Sequence, residues 1–193
     1  MWIGVTGFAQ HGKDTVANLL CREYGFTRIA FADALKSMAI TLNPFVQVDE
    51  YGGIRLKELV EHGGWEQAKT NMEVRRFLQV LGTEAVRAHL GDESWVDALF
   101  KQAQNIENLV IPDVRFPNEG DFIEKEGVLL AVQRLNPDFT PFDNGIGVSH
   151  PSEAYVPTLV AKADALFIAT NTEELEEGVR AWMADRKREG AIR

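Results

Sequence analysis

Cysteine is almost absent from this 193-residue chain. Cys21 stands alone, which excludes an intramolecular disulfide and a thiolate metal cluster and fits a reducing compartment. Lying within the first helical pattern, it reads as a small core or boundary residue. Basic residues are short as well: 20 Lys and Arg face 29 Asp and Glu, a formal net charge of −9. That deficit argues against nonspecific adhesion to nucleic acid or an anionic membrane, so an anionic small molecule must meet a local basic pocket. No apolar run approaches membrane-spanning length, and no basic region with a cleavage site precedes the first strand. A soluble cytoplasmic protein that is not exported is therefore expected. Repeats and low-complexity tracts are missing too. What is present, 45% hydrophobic and 25% charged residues, suits one globular domain over residues 1–193 with a sizeable core.

The stretch from Gly7 to Thr15, GFAQHGKDT, follows a short apolar run (Trp2, Ile3, Val5) and precedes Val16, Leu19, Leu20 and Tyr24 at near-helical spacing. A glycine-rich turn between a strand and a helix reads as a phosphate-binding loop. Gly7 and Gly12 let the backbone bend so that the N–H groups of Gln10, His11 and their neighbours converge at the positive end of the helix. Lys13 adds a mobile cation. Where the general pattern places a hydroxyl after the lysine, this chain has Asp14, with Thr15 next; either offers a hard oxygen for magnesium, and the sequence leaves the choice open.

Further along, Phe26–Phe31 (FTRIAF) reads as a second strand, and a helix follows in which Asp33 is expected as the N-cap, with Lys36 close by. Both either reach a substrate from the sheet edge or act as a cap and a solvated lysine. Residues 43–70, with Pro44 and four glycines, read as an insertion over the site, built of short helical pieces; Trp65 is too isolated there to assign. Over Asn71–Leu90, Val74, Phe77, Leu78, Leu81 and Ala85 share one helical side, and Arg76, Gln79, Thr83 and Arg87 share the other. Guanidiniums and an amide on one stripe suit a phosphate and a base edge, or a solvated face; Gly82 threatens to end the helix and let Thr83 cap another. A helix is also read over Trp95–Gln104. The run LVIPDVRF ends a third strand near Ile111, with Asp113 placed to support magnesium and Arg115 to neutralise phosphate. Pro117 and Asn118 begin a helix with Glu119 in its first turn. Val128–Gln133 is a fourth strand with Arg134 just past it. Residues 134–160, poor in periodicity and holding His150-Pro151-Ser152-Glu153, read as a lid; His150 has no partners at metal spacing. Ala165–Ala169 is a fifth strand, before a helix with Thr172 as its expected N-cap. Strands alternating with helices predict a mainly parallel five-stranded sheet covered on both faces, with its site at the carboxyl ends of the strands.

The segments GFAQHGKDT, FADALK, RRFLQVLGTEAVR, VIPDVRFPNEGDFI, HPSE and ADALFIATNTEEL, taken together, resemble the deoxynucleoside monophosphate kinases of bacteriophage type, within the nucleoside monophosphate kinase group. GKD in place of GKS or GKT resembles this branch. The resemblance implies an α/β phosphate-loop kinase, a three-layer sandwich with a lid, which moves the terminal phosphate of ATP to a deoxynucleoside monophosphate with Mg2+. It implies that Gly7, Gln10, His11, Gly12, Lys13, Asp14 and Thr15 hold ATP phosphates and that Asn171 and Thr172 lie beside adenine. Arg76, Gln79 and Arg87 would belong to the monophosphate side, with Asp33 and Lys36 near it. Asp113, Arg115, Glu119, Arg134, Ser152 and Glu153 carry over as site or lid residues, Lys13, Arg115 and Arg134 as catalytic ones, and Asp14, Thr15 and Asp113 as metal candidates. It also implies small-molecule partners, neither nucleic acid nor membrane, compatibility with a homodimer, and a host cytoplasm if phage-encoded. Two readings compete. One is a phosphate-loop kinase for another phosphorylated metabolite, of the dephospho-coenzyme A or phosphomevalonate type; the other is a nucleotide-dependent switch, although no Asn-Lys-x-Asp guanine motif is present.

Overall fold

A computed structural model describes residues 1–50, 52–143 and 153–190. Its elements in chain order are β1 (Trp2–Thr6), α1 (Lys13–Tyr24), β2 (Thr27–Arg28), α2 (Phe31–Leu42), β3 (Phe45–Asp49), β4 (Gly52–Arg55), α3 (Leu56–Ala68) and α4 (Met72–Gln79). A π-helical stretch (Val80–Arg87) leads into α5 (Ala88–Leu90), followed by α6 (Ser94–Ala103), β5 (Leu109–Ile111), α7 (Pro117–Glu126), β6 (Gly127–Arg134), α8 (Val156–Lys162), β7 (Ala165–Ala169) and α9 (Thr172–Arg188). The chain forms two compact units, Met1–Ala30 with Gln102–Arg193, and Phe31–Lys101. The second is larger than the expected insertion at 43–70 and contains it.

The first unit is built on a five-stranded sheet in the order β2-β5-β1-β6-β7, every neighbouring pair parallel. Apolar runs bury the central strands β5, β1 and β6, whereas edge strand β2 is exposed and β7 leaves Leu166 and Ile168 at the surface. Ile3, Val5, Val110, Leu130 and Val132 pack with Val16, Leu19 and Leu20 of α1 and Val179 and Met183 of α9. Each such leucine or isoleucine contributes roughly 1.5–3 kcal/mol by leaving water. Gly4 points to the opposite face, where a Cβ would stand 2.8 Å from Ile123 of α7 and 3.0 Å from Val114. Its lack of a side chain lets α7 lie against β1, and α8 covers the same face of β6. Strand β2 is shorter than FTRIAF, because Phe31 already starts α2. Asp33 therefore lies in the first turn of that helix and is not its N-cap. At α9 the N-cap is Asn171, whose side chain accepts from Glu174 N at 3.0 Å, and Thr172 is the first helical residue. The short polar amide one position earlier reaches the third N–H of the turn, so it takes the capping role.

In the second unit the irregular region after Pro44 holds an antiparallel pair, β3-β4, and a helix kinked at Gly64 (φ 72°, ψ 174°), where short helical pieces were expected. Asn71 caps α4 and donates to Gln47 O (2.7 Å), while Glu73 accepts from Gln47 N (2.8 Å), tying the first turn of α4 to β3. Gly82 does not end the helix. The backbone passes through it in π-helical form, with Leu35 of α2 seated 3.1 Å from where its Cβ would be and Trp95 Nε1 donating to its carbonyl at 3.0 Å. Among the described residues, no helix is long and apolar enough to cross a membrane.

Candidate functional site

In the first unit the loop from β1 to α1 bends through residues of positive φ: Gly7 at 146°, Gln10 at 64° and Gly12 at 104°. A Cβ on Gly7 would collide with the Val132 carbonyl of β6. Gln10 holds a conformation that costs a non-glycine residue on the order of 1 kcal/mol, the kind of strain concentrated at ligand sites. Helix α1 starts at Gly12 without a side-chain cap, so its first N–H groups face the loop, which is the arrangement that receives an anion. Lys13 is 7% exposed, and its Nζ donates to Gly7 O and Phe8 O, both at 2.7 Å. Burial, then the Arg115 charge, pushes its amine down to about 8, while Asp14, Glu153 and Asp113 oppose the shift. An arginine and three carboxylates thus act on one buried ammonium. Asp14 is exposed and pairs with Arg28 at 3.1 Å; Thr15 is half-buried. His11 is buried, and its Nδ1 accepts from Arg134 N at 3.2 Å.

The segment after β5 is held along β1 by Val114 N donating to Val5 O (3.3 Å). Buried Glu119 accepts from Arg115 N (2.8 Å) and Phe116 N (3.0 Å) through one oxygen. A residue expected at the substrate thus fixes the turn that carries Asp113 and Arg115, while also capping α7. Arg134 is the last residue of β6, and its guanidinium lies 4.2 Å over the Phe142 ring. The first turn of α9 abuts the phosphate loop, since Leu175 Cδ2 is 2.6 Å from where a Gly12 Cβ would stand. Asn171 donates to Thr170 Oγ1 at 3.2 Å in addition to its cap. Ser152 and His150 lie outside the described residues. Groups of three or more His, Cys, Asp or Glu side chains arranged for a metal are absent among the described residues.

In the second unit an open groove of about 450 Å³ is lined by Asp33, Lys36, Ser37, Ile40, Thr41 and Trp65. Lys36 and Asp33 are 3.6 Å apart. Trp65, left unassigned from the sequence, follows the Gly64 kink. Arg76 and Gln79 are exposed on α4, but Arg87 is buried and donates to Asp92 O at 2.9 Å. The expected stripe fails at this point because i→i+5 bonding puts more residues in each turn, which rotates Arg87 off the Arg76 face.

A family model for deoxynucleotide monophosphate kinase matches residues 56–146. A protein of Acanthamoeba polyphaga mimivirus, provisionally named a deoxynucleotide monophosphate kinase, is 30% identical over 193 residues, 91% of this chain and 90% of that one. Shikimate kinase from Aquifex aeolicus superposes with a TM-score of 0.51 at 14% identity, over 97% of this chain and 98% of that one. The protein TT1252 from Thermus thermophilus gives 0.53 at 20% identity, over 96% of this chain and 97% of that one. At such identities the solved structures speak to architecture, and the architecture is that of the phosphate-loop kinases.

Proposed function

This chain belongs to the deoxynucleotide monophosphate kinase family, and from that premise we propose that it transfers the terminal phosphate of ATP to a deoxynucleoside monophosphate, giving ADP and a diphosphate for DNA synthesis. The observation that carries the reading is the buried Lys13 ammonium in a glycine bend at an uncapped helix start, with Arg115 close enough to depress its proton affinity. A nucleotide phosphate has a second pKa near ~6, so the acceptor oxygen is already ionised at neutral pH. Such a reaction requires no general base. It needs two polyanions aligned and the charge on the moving group offset, which is work for Lys13, Arg115 and Arg134.

The loop's oxygen donors fit magnesium, which takes one or two protein carboxylates beside phosphate and water. Asp14, Thr15 and Asp113 would hold the ion, which supplies further charge neutralisation when bound. The backbone of Gly7–Thr15 would bind the donor phosphates, and Asn171 with Thr172 would flank adenine. Arg76 and Gln79, exposed on α4, would meet the acceptor, together with Asp33 and Lys36 of the groove. Arg87 holds the turn at Asp92 instead.

The deciding experiment is a panel of deoxy- and ribonucleoside monophosphates incubated with ATP and magnesium. ADP should form in step with a diphosphate, and only when an accepted monophosphate is present. ATP hydrolysis indifferent to monophosphate, or transfer to dephospho-coenzyme A in preference to any nucleotide, would overturn the proposal.

A further inference from the structure

His11 sits inside the phosphate loop, yet its imidazole turns to the protein. Its Nδ1 accepts from the backbone N–H of Arg134, so that nitrogen carries no proton and the ring is the neutral Nε2–H tautomer. The Phe142 backbone is a further hydrogen-bonding partner of the ring. Edge contacts flank it, to Phe8 at 5.5 Å and to Phe142 at 5.8 Å between centroids. Phe142 is the ring over which the Arg134 guanidinium lies, and Phe142 N donates to Arg134 O at 3.4 Å. A bridge between Leu135 and Pro141 closes the turn between them. One imidazole therefore joins three things: the loop, the end of β6, and the aromatic platform of an arginine.

We propose that His11 is a positioning residue whose neutral ring locks the phosphate loop to the end of β6 and so fixes the Arg134 guanidinium beside the loop. This deepens the reading given above, since the value of a fixed Arg134 rests on phosphoryl transfer. The side chain acts through Arg134, not on the nucleotide. Charge around the ring favours the neutral form: burial, Lys13 and Arg134 lower its proton affinity below the usual 6.5, with Glu153 and the Phe142 bond opposing. A protonated ring would present a donor to the Arg134 N–H and break the lock.

Two measurements test this. Proton–nitrogen correlation spectra of the histidine rings in the intact protein report the tautomer without any need for turnover. His62 and His89 serve as internal contrasts, because their Nδ1 atoms face the carbonyls of Glu58 (2.7 Å) and Ala85 (3.0 Å) and must donate where His11 accepts. His11 should show an unprotonated Nδ1 at neutral pH and titrate below the usual 6.5. The second measurement compares His11→Phe, which keeps the ring and loses the acceptor, with His11→Asn, which keeps an acceptor near Nδ1. Leaving the part-buried Arg134 N–H unpaired should lower kcat about tenfold with a smaller change in KM for ATP, and His11→Asn should recover a larger share of kcat. An Nδ1–H tautomer, a His11→Phe enzyme as fast as wild type, or a change confined to KM would overturn the assignment. If no monophosphate is phosphorylated at all, the kinase reading fails, while the ring spectra still decide whether the lock exists.

Discussion

Lys13 brings a positive charge to a place where only 7% of the residue meets solvent, and it compensates by donating to the carbonyls of Gly7 and Phe8. Its proton affinity, lowered from 10.5 to about 8, means that the unfolded chain holds this proton more tightly than the folded one. Below pH 8 both states are protonated, so stability does not change with pH on this account. Between about 8 and 10.5 only the unfolded state keeps the proton, and stability conferred by this group rises with pH. Lys13→Met removes that dependence. In chemical denaturation the wild type should gain on Lys13→Met by roughly 3 kcal/mol across this window, the equivalent of the lowered affinity. A difference between the two proteins that stays flat from pH 7.5 to 10.5 would show that the ammonium is not desolvated in the free protein. Phosphoryl transfer by Lys13→Met should be lost at every pH.

Among the elements, the turn between β5 and α7 depends most visibly on one side chain. Glu119 lies in the first turn of α7, where a carboxylate also favours the helix dipole, and one of its oxygens takes the N–H groups of both Arg115 and Phe116. Glu119→Ala should cost about 1–3 kcal/mol for the unpaired donors and lower the melting temperature by roughly 3–10 °C, with Glu119→Gln retaining most of both. If the turn orients Arg115, kcat falls in Glu119→Ala even where folding is restored by lower temperature, which steady-state rates at 10–25 °C would reveal. This carboxylate's place in the first turn was readable from Pro117 and its spacing. Its bond to Arg115 was not, because the sequence does not say how the chain turns after Ile111. The π-helical stretch hid itself for a related reason. A search at a hundred degrees per residue keeps Arg87 in line with Arg76, and only the wider turn through Gly82 moves it into the interior. The hairpin β3-β4 gave no alternation to read, since β3 has one buried residue, Val46, among exposed ones.

For the molecule as a whole, the alternation of apolar runs with helical patterns made the parallel sheet legible, because strands buried on both faces need little more than continuous apolar character. The contacts that complete the site were hidden by distance along the chain. His11 meets a backbone group 123 positions away, and Leu175 reaches Gly12 from the far end of the sheet's connectivity. The chain forms two compact units, and the second opens with Phe31 at the start of α2. The first holds the loop, Lys13, Arg115 and Arg134. The second holds the groove with Trp65 and Lys36 and the exposed Arg76 and Gln79. If donor and acceptor divide between the units in that way, each ligand should leave its own footprint in hydrogen exchange. ATP with magnesium, added alone, should slow exchange in residues 7–16 and 113–116, where amides near the loop gain phosphate partners or lose solvent. A deoxynucleoside monophosphate added alone should slow exchange across 33–41 and 76–83 and leave 7–16 unchanged. Opening energies add to binding by mass action, so at a hundredfold excess over Kd the protected amides should slow by about a hundredfold where exchange requires release of the ligand. A monophosphate that protects only 7–16 would place both nucleotides on the same unit and remove the acceptor role from α2 and α4.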